Sequence, residues 1–184
     1  MALKFLLHLI GDLHCPLHAE GLLRGGNDIH VVWKGEDTNL HFVWDVLIPQ
    51  TMTNRTEAEE RDAAAAWAEQ LWNMTLEGFQ STELTVRGPV NTADEILGLG
   101  KNAERSVLRW ARESNAWVCR TVLKDGVDGV EGQELSSKYY TEAIAGIEEL
   151  MTNAGLRLAA WINELARQDA LERNGNEHGE LKLL

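Results

Sequence analysis

Residues 7–18 read Leu-His-Leu-Ile-Gly-Asp-Leu-His-Cys-Pro-Leu-His and contain three of the six histidines of the 184-residue chain. His8 and Asp12 are four residues apart, so on a helix both side chains lie on one face. An imidazole nitrogen and a carboxylate oxygen together form a donor set that suits zinc. This stretch therefore predicts a helix with a metal-binding face.

A second pair with the same spacing, His41 and Asp45, follows in Asn-Leu-His-Phe-Val-Trp-Asp, residues 39–45. An isolated pair of this kind is commonly a surface hydrogen bond. Here both pairs are flanked by apolar residues, where a polar side chain needs a partner, and His18 supplies a third imidazole. We therefore predict a metal site between two helical faces. Its predicted ligands are His8, Asp12, His18, His41 and Asp45.

The composition limits the classes of partner. A 44% hydrophobic content is enough for the core of one domain, and the formal net charge of -12 makes the surface acidic. Such a surface repels nucleic-acid phosphates, so any phosphate recognition must be local and mediated by metal ions. No apolar run is long enough to span a membrane, and Gly11 and Asp12 interrupt the N-terminal apolar run, so neither a membrane partner nor a signal peptide is predicted.

Apolar spacing predicts the first elements. Residues 3–14 are expected to be helical up to the turn before Pro16. The expected buried stripe consists of Phe5, Leu6, Leu9, Ile10 and Leu13. Residues 29–33 are β-branched and aromatic and precede a turn at residues 34–37, which predicts a small hairpin with His30 on its surface. Asn39 is expected to cap the helix that contains His41 and Asp45.

The remaining periodic segments also predict helices. Thr56 and Glu59 form a capping box for the first of them. The predicted segments are residues 56–76, a helix from Ala93 onward, residues 102–122 and residues 136–168. The fold class is therefore all-α, a multi-helix bundle with a small β-hairpin. We expect one domain over residues 1–168 and a charged, frayed tail over residues 169–184.

Three smaller features concern the predicted metal site and whether the protein is secreted. Gly25, Gly26 and Asn27 form a loop whose glycines give the backbone freedom near the occupant of the site. The only cysteines, Cys15 and Cys119, could pair, but two cysteines do not define a disulfide framework. The N-glycosylation patterns are at Asn54 and Asn73 and have meaning only in a secreted protein.

Several of these segments together resemble one family, the zinc-dependent single-strand nucleases of the S1/P1 type. The matching segments are residues 8–14, 16–18, 25–28, 39–45, 139–140 and 154–161. The resemblance implies an all-helical fold related to zinc-dependent phospholipase C. It also implies three zinc ions, secretion, and hydrolysis of single-stranded DNA and RNA to 5'-nucleotides with 3'-nucleotidase activity.

By position, the resemblance implies that His18, His41 and Asp45 are the complete protein ligand set of one zinc. Three protein ligands with an open position are typical of catalytic zinc. His8 would bind a second zinc, and Asp12 would bridge the second and the third. One zinc site is thus complete, and parts of the other two are present.

Other family positions are expected upstream of residue 1. They are the remaining zinc ligands, the acid that orients the attacking water, and the disulfide partner of Cys119. We therefore expect the sequence to correspond to the C-terminal portion of such a nuclease, and no catalytic residue is assigned in it. His14 resembles a position behind the ligands, and Cys15 replaces a residue that is commonly glutamine.

The predicted function is hydrolysis of phosphodiester bonds in a single-stranded nucleic acid or nucleotide, by a monomer. The alternatives are a non-catalytic zinc-binding helical domain and a hydrolase like zinc-dependent phospholipase C. The Gly-Gly-Asn and Asn-Leu-His-x-x-Trp-Asp segments favour the nuclease.

Overall fold

The computed structural model of the chain describes residues 2–53, 60–80 and 103–180. It is mostly helical with one two-stranded sheet, which confirms the all-α prediction. The elements in order are α1 (Ala2–Leu13), a 3-10 turn (Pro16–Ala19), β1 (His30–Trp33), β2 (Glu36–Asn39), α2 (Leu40–Phe42), a π turn (Val43–Leu47), α3 (Ile48–Thr53), α4 (Glu60–Gln80), α5 (Ala103–Trp117), a second π turn (Val118–Val122) and α6 (Lys138–Glu180). The predicted capping box at Thr56 and the helix start at Ala93 lie outside the described residues.

The hairpin is antiparallel, and Lys34 and Gly35 form its turn with φ of 52° and 83°. Two consecutive positive φ values are typical of a tight hairpin turn of the type I′ class. The predicted hairpin is confirmed, but Glu36 and Asp37 belong to β2 rather than to the turn. On its other side, Val32 of β1 forms a parallel bridge with Glu134, so β1 is paired along both sides at this point.

The carboxylate of Glu134 fixes the hairpin turn to the segment before α6. It accepts hydrogen bonds from the backbone N–H groups of Lys34 at 3.1 Å, Gly35 at 2.9 Å and Ser136 at 2.8 Å. Hydrogen bonds from Ser136 are the largest cause that lowers the pKa of Glu134 to about 2. The hairpin is therefore held in one orientation against the chain that leads into the last helix.

The main core lies under the hairpin and under the helix that follows it. Its buried members are Leu17, Ile29, Val31, Trp33, Leu40, Val43, Trp44, Ile48, Val122, Val130, Leu135, Ala143 and Ile147. The indole N–H of Trp44 donates to the hydroxyl of Tyr139 at 2.7 Å, and that hydroxyl donates to the carbonyl of Val122 at 2.9 Å. These bonds satisfy the polar groups that the two aromatic residues bring into the core.

The predicted buried stripe of α1 is wrong in part. Ile10 is buried, but Phe5 and Leu9 are 60% and 58% exposed. The physical reason is that α1 packs on α5 and α6 along one side only, so the described chain does not cover the rest of its apolar surface. The spacing of apolar residues identifies which of them share a helical face, but not which part of the chain packs against that face. Two apolar residues of the other helices, Leu108 of α5 and Met151 of α6, are exposed in the same way.

Helix α6 continues to Glu180, so the helix end predicted near residue 168 is too early. Residues beyond that point form helical ion pairs, since Arg173 lies 2.8 Å from Asp169 one turn earlier. The division into a domain and a tail stays a prediction. None of the helices in the described ranges combines the length and the hydropathy needed to cross a bilayer.

Candidate metal centre

The last turns of α1 place the first predicted pair. The Nε2 atom of His8 lies 3.2 Å from Oδ2 of Asp12, so the two side chains share a helical face as predicted. The side chain of His8 is 72% exposed, however, and that of Asp12 is 39% exposed. The apolar residues that flank His8 in sequence therefore do not bury it in the described part of the chain.

A 3-10 turn that begins with Pro16 brings His18 back toward the end of α1. Its Nδ1 lies 3.2 Å from the backbone carbonyl oxygen of Asp12, which is the geometry of an N–H donating to that carbonyl. With the proton on Nδ1, Nε2 has a free lone pair. This Nε2 lies 3.6 Å from Oδ1 of Asp45, on a different helix.

His41 is oriented in the same way by a different carbonyl. Its Nδ1 lies 2.9 Å from the backbone oxygen of Gly25, and its own backbone N–H donates to Gly26 at 3.3 Å. The centroid of its ring lies 5.0 Å from that of His18. In both imidazoles the Nδ1–H donates to a backbone carbonyl, so Nε2 keeps the lone pair that can bind a metal. This arrangement is common for histidines that bind metals.

The loop at residues 25–27 lies directly behind His41. Gly25 has a φ of 62°, and a Cβ there would lie 2.6 Å from the carbonyl oxygen of Leu17 and 3.7 Å from Nδ1 of His41. Only glycine fits this position. The side-chain amide of Asn27 donates to the carbonyl of Arg24 at 2.9 Å, within the loop itself. The loop positions His41, and its contact with substrate stays a prediction.

Asp45 lies in the π turn that continues α2. The carbonyl of the Asn39 side chain accepts the backbone N–H of Phe42 at 2.8 Å, which confirms the predicted N-cap. The neighbours Val43 and Trp44 are buried, whereas the Asp45 side chain is 45% exposed. Burial of Val43 and Trp44 therefore leaves Asp45 on the other face of the turn, where its nearest recorded imidazole is that of His18. Single π turns inside helices are frequent at functional sites.

The donor set fits zinc. Two donors about 2.0–2.1 Å from a tetrahedral zinc lie about 3.3–3.4 Å apart. The observed 3.6 Å between Nε2 of His18 and Oδ1 of Asp45 is close to this spacing. Both groups are reached by solvent, with side-chain exposures of 22% and 45%. An ion and a phosphate oxygen would thus have access to the pair.

Cys15, which is not among the predicted ligands, lies within the same cluster. Donor atoms of Cys15, His18 and Asp45 all lie within 4.8 Å of one another. His41 is not a member of this group, and no other group of three such residues occurs in the part of the chain that the structure describes. The N–H of His18 donates to the carbonyl of Cys15 at 3.1 Å across the turn that Pro16 begins, so the sequence Cys-Pro-x-His was a signal for this proximity.

The thiol of Cys15 is protonated in the absence of a metal. Burial is the largest cause that raises its pKa, to about 11, and the charge of Asp45 adds to the effect, while backbone N–H groups of Leu17 and His18 oppose it. Both Cys15 and Cys119 are free thiols in the structure. The open possibility of a bond between them is thus not realised, and a disulfide to another segment stays a prediction.

His14 is buried apart from the cluster, at 3% exposure. Its Nδ1 donates to the carbonyl of Ile10 at 2.7 Å, and its Nε2 accepts a hydrogen bond from Arg157 at 2.8 Å. Burial is the largest cause that lowers its pKa to about 4, so the ring is neutral. Both ring nitrogens are therefore engaged by helices α1 and α6 rather than by a predicted metal ligand.

The predicted glycosylation positions divide between described and undescribed parts. Asn73 lies on α4 with an exposed side chain, and Asn54 lies outside the described residues. His30, expected on the hairpin surface, is exposed there.

Comparison with known proteins gives a consistent result. The chain is similar to "Nuclease S1" of Aspergillus oryzae, with 36% identity over 174 residues, which cover 91% of this chain and 55% of that protein. It is 34% identical to "Nuclease P1" of Penicillium citrinum over 166 residues, 89% of this chain and 57% of the relative. "Endonuclease 4" of Arabidopsis thaliana is 29% identical over 170 residues, 89% of this chain and 50% of the relative.

The chain thus spans about half the length of the curated relatives it matches. The family model described as "S1/P1 Nuclease" matches residues 1–167, which include every predicted metal ligand. On this match over most of its length, the chain belongs to the S1/P1 nuclease family.

Proposed function

We propose that this chain is the metal-binding portion of a zinc-dependent endonuclease. It would hydrolyse phosphodiester bonds of single-stranded DNA and RNA to 5'-nucleotides and also act as a 3'-nucleotidase. The observation that supports this most directly is the 3.6 Å approach of Nε2 of His18 to Oδ1 of Asp45. The relatives compared above are named nucleases or endonucleases, and this supports the same class of activity.

In this proposal His18, His41 and Asp45 hold one zinc, and His8 and Asp12 contribute to two further ions. Bound zinc supplies a Lewis acid that polarises a phosphoryl oxygen and balances developing negative charge. The carbonyls of Asp12 and Gly25 keep both imidazoles in the tautomer with a free Nε2. A local positive charge is needed because the chain has a net charge of -12, which repels phosphate elsewhere on its surface.

Further parts of the proposal rest on the family resemblance. The loop of Gly25, Gly26 and Asn27 lies near the substrate, and the protein is a secreted monomer with N-glycans at Asn54 and Asn73. The nuclease domain extends over residues 1–168. Cys119, an exposed free thiol here, is the position of a family disulfide.

The test is hydrolysis of single-stranded DNA by the chain after removal of metal and after addition of zinc. We expect zinc to restore release of 5'-nucleotides, and His41→Ala to reduce it by at least about 10- to 100-fold, the loss typical of a disturbed metal site. His30→Ala is the matched control, since it removes an exposed imidazole on β1. Equal activity of the wild-type chain and His41→Ala would overturn the proposal.

A second candidate is a non-catalytic zinc-binding helical domain. It is favoured by the geometry of His8, which is 72% exposed and pairs with Asp12. Counting bound zinc by atomic spectroscopy on the dialysed chain discriminates the two functions. One tightly bound zinc per chain supports the non-catalytic domain, whereas three support the nuclease.

A further inference from the structure

We propose that Cys15 is a zinc ligand, so that its sulfur binds the same ion as His18 and Asp45. This inference rests on the proposed metal centre and deepens it. It adds a thiolate to a site for which the family resemblance implies only imidazole and carboxylate donors. The structural basis is the cluster in which one donor atom from each of the three residues lies within 4.8 Å of the others.

The backbone of the 3-10 turn produces this cluster. Cys15 is the residue before the turn, with extended φ and ψ of -85° and 122°, and Pro16 occupies its first position. The backbone N–H of His18 donates to the carbonyl of Cys15 at 3.1 Å, so the turn holds His18 close to Cys15. The backbone N–H of Cys15 and the Nδ1 of His18 both approach the carbonyl oxygen of Asp12, at 3.0 Å and 3.2 Å. One carbonyl thus anchors both donors.

The surroundings of the sulfur suit a metal-bound thiolate. The side chain of Cys15 makes no capping hydrogen bond to the turn that follows it, so the lone pairs of its sulfur are not engaged there. When the S–metal bond forms, the thiol proton passes to solvent and no oxidant is needed. The sulfur is also partly buried, whereas the other cysteine, Cys119, is exposed.

The chemical consequence is a site with a softer donor set. A thiolate favours zinc, copper(I) and cobalt over magnesium and calcium, which prefer oxygen ligands. With His41 on the same ion, as in the proposed function, four protein donors complete a tetrahedron, and a phosphate oxygen would bind as a fifth ligand. Cys15→Ser should weaken zinc binding at least as much as loss of a residue that only orients a ligand, on the order of 10- to 100-fold.

The test is titration of the reduced, metal-free chain with Co²⁺, followed by absorption. Cobalt bound by His18 and Asp45 gives visible d–d bands, and only a thiolate ligand adds a sulfur-to-cobalt charge-transfer band in the near ultraviolet. We expect the charge-transfer band in the wild-type chain and in the matched control Cys119→Ser. We expect Cys15→Ser to lose this band and to keep d–d bands.

A second measurement uses the unaltered chain, in case Cys15→Ser does not fold. Zinc should protect Cys15 from alkylation, as mapped by peptide mass spectrometry, and leave Cys119 equally reactive. Cobalt d–d bands without a charge-transfer band, or zinc that protects neither cysteine, would overturn the inference and leave the metal centre in place. Failure to bind any cobalt or zinc would overturn the metal centre itself.

Discussion

Nη1 of Arg157, on the last helix, lies 2.8 Å from Nε2 of His14, a residue 143 positions earlier in the chain. The guanidinium also lies over the ring of Trp110 at 5.0 Å and pairs with Glu113, both on α5. This contact ties the end of α1, where the first metal ligands lie, to the two helices that support it.

Replacing Arg157 with methionine should lower the free energy of unfolding by about 2 kcal/mol, because His14 would be left with a buried, unsatisfied nitrogen. The pair with Glu113 adds little, since Glu113 is 43% exposed. Urea unfolding of the metal-free chain measures the change. Arg173→Met, which removes an exposed arginine from the same helix, should change stability by less than about 0.5 kcal/mol. Equal losses in both variants would contradict the role of the buried contact.

Stability should fall as the pH falls from 6.5 toward 4. The pKa of His14 is lowered from 6.5 to about 4 in the folded chain. Between these values the unfolded state binds more protons, so acid favours unfolding, and the stabilisation is fully present only above pH 6.5. The shift of the His14 pKa corresponds to a loss of about 3.4 kcal/mol at most. Urea unfolding in a chelator between pH 7 and pH 4 should show a steeper decline for wild type than for His14→Gln. Parallel declines would show that another group is responsible.

Gly25→Ala should disturb both stability and metal binding. A Cβ at this position lies 2.6 Å from the carbonyl of Leu17 and close to Nδ1 of His41. Gly35→Ala is the matched control, because its φ is also positive at 83° but nothing lies within 4 Å of its Cβ. We expect a loss of about 1–2 kcal/mol for the control, from backbone strain alone. Gly25→Ala should cost more and weaken zinc binding in calorimetry. Similar zinc affinities in the two variants would contradict a positioning role for the loop.

Asn39→Ala should destabilise the start of the helix that holds His41. Its side-chain oxygen accepts the N–H of Phe42, and loss of such a cap costs about 1 kcal/mol. Asn39→Asp keeps an acceptor and should retain most of the stability. Thermal unfolding followed by circular dichroism compares the three proteins. A midpoint for Asn39→Asp as low as that for alanine would show that the hydrogen bond is not the stabilising feature.

The local features of the site could be predicted from sequence because each depends on short-range geometry. The spacing of His8 and Asp12 defines a helical face, and Asn39 has the side chain that an N-cap requires. His18 was expected to reach the site from the turn after the first helix, and its Nε2 lies 3.6 Å from Oδ1 of Asp45. Cys15 was missed as a ligand because its proximity depends on the single 3-10 turn that follows it, and the helical spacing used for the other ligands does not describe such a turn.

The remaining features depend on tertiary contacts that periodicity does not specify. The partner of His14 lies on another helix, 143 residues away, and no spacing rule connects them. The exposure of Phe5 and Leu9 likewise depends on which side of α1 meets a neighbouring helix. An apolar pattern fixes which residues share a face, whereas burial depends on what the rest of the chain places against it.

The pairing of Val32 with Glu134 also affects how the protein behaves at high concentration. A two-stranded sheet has two open edges that can pair with strands of other molecules. The edge at β1 is partly paired here with residues 133–135. The edge at β2 carries the exposed residues Glu36 and Asp37, whose negative charge repels the same strand of a second molecule. These charges oppose aggregation of the sheet through its edge. Neutral β-branched substitutions at Glu36 and Asp37 would therefore make such aggregation more favourable.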